Sequence, residues 1–189
     1  VCILEESEIP ECDFSLIEDD LNDYNIYIGT MRGCVGRCNF CINHTYWGKP
    51  RYILPEKIEN TLKYLYERLD DVRLLHIIDN VFTLNIGRLE VLRHILLPFR
   101  ERFVLECDTL ASLIDEKRVR LLCDMNVIKV GLGFEDCSDK INKIAKKGVE
   151  ISDNIKAAQT IREYAPDICV YAYWLIGLPG TSRESVEEN

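Results

Sequence analysis

The sequence predicts an α/β fold built on a parallel sheet, and three observations carry that expectation. Short, apolar, β-branched runs recur five times along the chain, and segments of helical spacing separate them. The residues of chemical interest (cysteines, acids and glycines) fall just after the runs end. Right-handed crossovers would wind such units into an open sheet or toward a barrel, where sites are built on the C-terminal rim.

The first 25 residues are acidic and irregular, with Pro10 and the run Glu18-Asp19-Asp20. They read as a linker or wrap-around segment (1–25) ahead of one core domain (26–189). Strands are expected at 25–29, 74–79, 103–107, 127–134 and 168–176. A helix over 55–69 opens on proline, suited to a first turn, and puts Ile58, Leu62, Leu65 and Leu69 on one face. Asn85 can cap a helix carrying Leu89, Leu92 and Leu96, which Pro98 ends. Asp115 can cap another running through Cys123, with Val119 and Leu122 turned inward. Asp153 is expected to cap the segment with Ile155, Ala158 and Ile161. Thr181 and Glu184 form a capping box that opens a helix as the chain stops, so the fold is expected to be truncated after its fifth strand.

Composition narrows the function. The 189 residues suit one domain, 47% hydrophobic and 29% charged, as in ordinary globular proteins. A net charge of −9 argues against a broad nucleic-acid footprint. The basic residues Arg32, Arg37, Lys49 and Arg51 read as solvated surface. No run approaches the roughly 20 apolar residues of a membrane span, and no signal peptide is recognised. Nine cysteines, an odd number without a framework, point to a reducing cytoplasm rather than a disulfide scaffold. The sequon Asn43-His44-Thr45 is read as a chance match. Cys107, Cys123 and Cys169 sit in apolar runs, where an inert buried side chain is expected.

The informative segment is Cys34-Val35-Gly36-Arg37-Cys38-Asn39-Phe40-Cys41. Three thiols at spacing C-x₃-C-x₂-C, with glycines at 33 and 36, can fold closely around a bound group. Thiolates favour iron–sulfur clusters, zinc or Cu(I) over hard cations. Three ligands on a four-iron cluster would leave one iron open. A structural zinc site stands beside this reading, because His44 could complete a Cys₃His set. A thioredoxin-like use of Cys38 and Cys41 leaves Cys34 without a role.

This segment, placed directly after the first strand with an aromatic Phe40, resembles the signature of the radical S-adenosylmethionine (SAM) superfamily. The likeness extends along the chain. Asp79-Asn80-Val81-Phe82-Thr83 is similar to an element of the subgroup that carries a cobalamin-binding domain. Gly131-Leu132-Gly133-Phe134-Glu135, Lys147-Gly148 and Gly177-Leu178-Pro179-Gly180-Thr181 resemble later elements of the same subgroup. Ile9-Pro10-Glu11-Cys12-Asp13-Phe14 resembles the linker that joins the cobalamin domain to the barrel.

The resemblance implies a partial (β/α)₆ TIM-like barrel of parallel strands, holding a [4Fe–4S] cluster and SAM. Carried over by position, Cys34, Cys38 and Cys41 are the metal ligands. Phe40, Asp79, Glu135 and Gly177 are cofactor-binding: Phe40 packs near adenine, Glu135 makes a polar contact, and Gly177 lets the backbone approach adenosine. Asp79 and its neighbours stand where many members carry Gly-Gly-Glu for the SAM amino group. Cobalamin would belong to an upstream domain. The expected partners are a small-molecule or natural-product substrate and an external electron donor. The reactions implied are a cobalamin-dependent methyl transfer or, alternatively, tRNA methylthiolation; a non-catalytic zinc-binding module is the remaining alternative. No catalytic acid, base or hydrogen donor is assigned.

Overall fold

The computed structural model describes residues 5–10 and 12–188; Cys2, and Glu11 of the linker-like motif, lie outside the described residues. Along the chain run β1 (Ile26–Ile28), β2 (Met31–Arg32), α1 (Asn43–Tyr46), β3 (Arg51–Tyr52), α2 (Pro55–Arg68), β4 (Arg73–Ile77) and α3 (Ile86–Leu96). There follow β5 (Phe103–Thr109), α4 (Glu116–Asp124), β6 (Val127–Glu135), α5 (Asp139–Ile144), α6 (Ile151–Tyr164), β7 (Cys169–Trp174) and α7 (Arg183–Glu188). Strands β1, β4, β5, β6 and β7 pair in that order, all parallel. Each of the five expected strands is therefore present, and helical crossovers separate consecutive members.

Alternation along the strands divides the sheet into two unlike faces. Leu75, Ile77, Leu105, Cys107, Val130 and Leu132 point into the main core. There they meet Leu62 and Leu65 of α2, Leu89 and Leu92 of α3, Leu122 of α4 and Ile161 of α6. On the other face Tyr27, Tyr171 and Tyr173 are exposed, with His76, Glu106 and Lys129 half-buried between them. Cys169 shares the parity of Tyr171 and Tyr173, so it is exposed rather than buried as its apolar neighbours suggested. Trp174 goes the other way and packs edge-on against Phe134, with ring centroids 5.5 Å apart.

Two helix starts differ from expectation. Glu150, not Asp153, caps α6; the two form a reciprocal capping box in which the Glu150 amide donates to Asp153 at 3.0 Å. Ser182 and Ser185 exchange the bonds that open α7. Thr181 instead closes the preceding turn, its hydroxyl donating to the Leu178 carbonyl at 2.8 Å. Asn85 and Asp115 cap α3 and α4 as expected. The N-terminal segment lies along α2: Ile9 and Leu21 are buried in the main core, and Lys57 Nζ donates to the Ile9 carbonyl at 2.7 Å.

One buried carboxylate fixes the start of the cysteine loop. Asp79, just beyond β4, is 3% exposed. Its Oδ1 accepts from the Thr30 amide at 2.6 Å and the Met31 amide at 3.0 Å, and its Oδ2 from the Thr30 hydroxyl. Burial raises its pKa, against these donors and Arg32, which favour the charged form. The folded protein thus holds this proton more tightly than the unfolded chain. Between the ordinary carboxylate value and the raised folded one, stability falls as pH rises. Asp79→Asn keeps an acceptor for both amides and offers a donor to the Thr30 hydroxyl. Urea unfolding followed against pH should show that slope in the wild type and lose it in Asp79→Asn; a slope unchanged by the substitution would assign it to another group.

Candidate functional site

The cysteine loop springs from a small antiparallel ladder. Strands β2 and β3 pair Met31 with Tyr52 and Arg32 with Arg51. The Cys34 amide donates to the Gly48 carbonyl at 3.2 Å, so chain entering the loop and chain leaving it run side by side. At Gly33, with φ at +97°, a Cβ would lie 2.2 Å from the Lys49 carbonyl oxygen, and only glycine fits. Arg32 stacks over Trp47 at 5.7 Å and Arg51 donates to its carbonyl at 2.8 Å, so part of the basic patch packs the ladder, whereas Arg37 and Lys49 are exposed.

Two further attachments hold the loop from either side. Asn80 Nδ2 donates to the Gly33 carbonyl at 3.1 Å, and its Oδ1 accepts from Asn43 at 2.5 Å. One side chain therefore joins the residues before and after the thiols. Opposite, Asn39 docks on the turn after α5: its amide donates to Ala145 at 2.9 Å and its Nδ2 to Ile144 at 2.8 Å. Cys38 Sγ lies 4.0 Å from the Lys147 carbonyl oxygen.

Cys34, Cys38 and Cys41 are reduced and half-buried in this frame. The backbone passes between two of the sulfurs at Gly36. Its amide donates to Cys34 Sγ at 3.3 Å, and a Cβ there would lie 3.5 Å and 3.6 Å from the Cys34 and Cys38 sulfurs. Burial raises the Cys38 thiol pKa; Lys147 opposes it, while Cys41, Cys34 and Glu135 add to it. His44 bonds its neighbour, with Nε2 3.1 Å from the Thr45 hydroxyl. Among the described residues, no three His, Cys, Asp or Glu side chains converge as the ligands of a single ion would. Three soft thiols on one loop are a donor set that suits an iron–sulfur group.

The other sequence-predicted residues lie along the same C-terminal sheet edge. Phe40 is exposed within the cysteine loop. Asp79 stands beneath it with both oxygens taken up by Thr30 and Met31. Glu135 ends β6 at φ +63°, 6% exposed, and its Oε1 accepts from Lys147 Nζ at 2.6 Å. Gly133 makes room for this ion pair, since a Cβ would come within 2.3 Å of the ammonium and 2.4 Å of the carboxylate. Gly177 turns the chain after β7 at φ +93°, with open space where a Cβ would stand. Lys147 thus reaches both the cysteine loop, through its carbonyl, and Glu135, through its ammonium. Asn80 and Lys147 entered the sequence reading only as members of the Asp79–Thr83 and Lys147-Gly148 elements, and Asn43 only as part of a chance sequon; their contacts with the loop were not legible there.

The chain is 25% identical over 179 residues to a tRNA-2-methylthio-N(6)-dimethylallyladenosine synthase of Sulfurihydrogenibium sp. (strain YO3AOP1), a match covering 88% of this chain and 40% of that protein. In fold it is similar to the radical SAM methyltransferase TsrM from Kitasatospora setae, solved with tryptophan and a SAM analogue. That match has a TM-score of 0.73 at 22% identity, over 88% of this chain and 33% of TsrM. It is also similar to the cobalamin-dependent radical enzyme OxsB, with a TM-score of 0.71 at 19% identity, over 87% of this chain and 26% of OxsB. The chain therefore spans well under half the length of each. No described helix is long and apolar enough to cross a membrane. The family model of the radical SAM superfamily matches residues 28–189, from the last residue of β1 through the cysteine loop and strands β4, β5, β6 and β7, so the chain belongs to that superfamily and its fold is the partial (β/α) barrel of these enzymes.

Proposed function

We propose that this chain is the cofactor-binding core of an enzyme in which Cys34, Cys38 and Cys41 hold a [4Fe–4S] cluster and the neighbouring strand ends bind SAM. The observation that carries the reading is the loop itself: three thiols, held at the base by the β2–β3 ladder and on either side by Asn80 and the turn after α5. Bound there, the cluster supplies the electron that cleaves SAM to methionine and a 5′-deoxyadenosyl radical. The protein's part is to bind, orient and exclude. Phe40 covers the adenine, the Gly177 turn lets backbone approach adenosine, and Glu135, fixed by Lys147, offers its carboxylate to SAM. Asp79 acts through the loop it positions, so the SAM amino group is met by the backbone of its segment. The electron comes from an external one-electron donor, and a reducing cytoplasm suits the thiols.

For the reaction, fold likeness to the methyltransferase TsrM supports a methyl transfer, and its bound cobalamin together with the cobalamin dependence of OxsB supports use of a cobalamin held outside this core. Sequence likeness to the tRNA methylthio synthase supports a second reading, methylthiolation of an RNA base. The mass added to product by the full-length protein separates the two, and only the first requires cobalamin.

Anaerobic reconstitution with iron and sulfide should load about four irons per chain. With dithionite and SAM the loaded protein should then release 5′-deoxyadenosine. Alanine at Cys34, Cys38 or Cys41 should abolish both iron retention and nucleoside, whereas His44→Ala should keep both. A single tightly held zinc that is lost in His44→Ala would sink the cluster assignment. Separately, Gly133→Ala should force the Glu135–Lys147 pair apart and weaken SAM binding about tenfold, measured by equilibrium dialysis, with iron content unchanged.

A further inference from the structure

The helix-free face of the sheet carries a polar row that the cofactor site leaves unused. Tyr27, His76, Glu106 and Lys129 are successive partners across β1, β4, β5 and β6. Their side chains touch in that order. Tyr27 stacks on His76 with ring centroids 4.6 Å apart. Glu106 meets His76 Nδ1 at 2.9 Å and Lys129 Nζ at 2.9 Å. The Lys129 ammonium also lies 4.1 Å from the centroid of the Tyr171 ring. The charge of Glu106 is thus compensated within the sheet.

Nearer the C-terminal edge stands Asp108, opposite Gly131. A Cβ on Gly131 would fall 2.0 Å from Asp108 Oδ1 and 2.6 Å from the Tyr173 ring, so the missing side chain is what admits them both. The Tyr173 hydroxyl donates to Oδ1 at 3.1 Å. Lys129, the cation of the row, is committed to Glu106 rather than to Asp108. Asp108 therefore presents a carboxylate hydrogen-bonded by a hydroxyl, with the Lys129 charge acting on it without direct pairing. It borders a cleft of about 380 Å³ that runs from Tyr27, His76, Glu106 and Asp108 on the sheet to the Asp79 segment at the end of β4, with Asn43 and Asn80 beneath the cysteine loop.

We propose that the sheet side of this cleft, beside the Asp79 segment that meets SAM, is the substrate site and that it takes an organic amine, its ammonium paired with Asp108 and its flat portion laid against Tyr27. Aromatic faces attract cations, as Lys129 over Tyr171 already shows in this row. A substrate carboxylate placed there would face Asp108 and be repelled. The proposal rests on the cofactor site above, because Asn43 and Asn80 are what bring the cleft up to the cysteine loop.

The test is isothermal titration of the reconstituted protein with tryptamine and, as the acid of the same ring, indole-3-propionate. Tryptamine should bind saturably and the acid should not. Asp108→Asn should bind tryptamine at least about tenfold more weakly at unchanged iron content. Tyr173→Phe, which removes the hydroxyl but keeps the charge, should retain tryptamine, and this variant carries the test should Asp108→Asn fail to fold. Equal binding of the acid, undiminished affinity in Asp108→Asn, loss of tryptamine binding in Tyr173→Phe, or no tryptamine binding by the wild type would each overturn the amine assignment. Wild-type protein that binds tryptamine through Asp108 but makes no 5′-deoxyadenosine would instead overturn the cofactor reading and leave the selectivity of the cleft standing.

Discussion

The carboxylate of Asp79 is buried where ionisation is disfavoured, yet three donors from Thr30 and Met31 converge on it. Removing the carboxylate would leave two backbone amides and a hydroxyl without partners inside the fold, which costs more than the bonds themselves contribute. Every later feature of the site depends on this junction. It ties the end of β4 to the chain leaving β1, and so fixes where β2 begins. Because β2 and β3 close the loop at its base, the direction in which the thiols are presented is inherited from it. Asn80, the next residue, extends the same tie to Gly33 and Asn43.

The opposite flank works by a different device. Lys147 engages the loop with its backbone and Glu135 with its side chain, so the end of β6 and the position of Cys38 are not independent. That arrangement needs room above β6, and the strand supplies it by carrying glycine at 131 and 133. Each vacancy is filled by partner groups, Asp108 with Tyr173 over one and Glu135 with Lys147 over the other. The glycines of this strand therefore matter for what their absent side chains admit, in a strand where glycine is otherwise unfavourable.

The parts of the structure governed by local period were legible in the sequence. Alternating apolar runs marked all five sheet strands, and helical spacing with Asn85 and Asp115 marked α3 and α4. Cysteine spacing marked the loop. What could not be read depends on partners distant in the chain. Strands β2 and β3 are two residues each, too short for any period, and exist because Asp79 and the ladder hold them. Glu150 and Asp153 are both acidic and three apart, so either could be taken for the cap of α6; the reciprocal box settles the order. The exposure of Cys169 turned on which face of β7 it joins, a parity that only the sheet register fixes. The row from Tyr27 to Lys129 draws one residue from each of four strands and leaves no trace in any single segment.

Parity also separates the two aspartates that matter most. Asp79 continues the alternation of Leu75 and Ile77 and so turns to the helix side, where protein donors surround it and water is excluded. Asp108 lies one residue past Cys107 and so turns to the other face, where it meets a tyrosine hydroxyl and the cleft. Burial raises the pKa of both, and in both a hydroxyl opposes the rise. The difference lies in what remains to be satisfied. Asp79 has its two oxygens engaged by backbone and side chain of the same fold, so its energetic effect is on structure. Asp108 has a tyrosine on one oxygen and faces open space, so the group able to complete it must come from outside the chain. A one-residue slip of β4 or of β5 would turn its aspartate to the opposite face, so the register of these strands bears on chemistry as well as on folding.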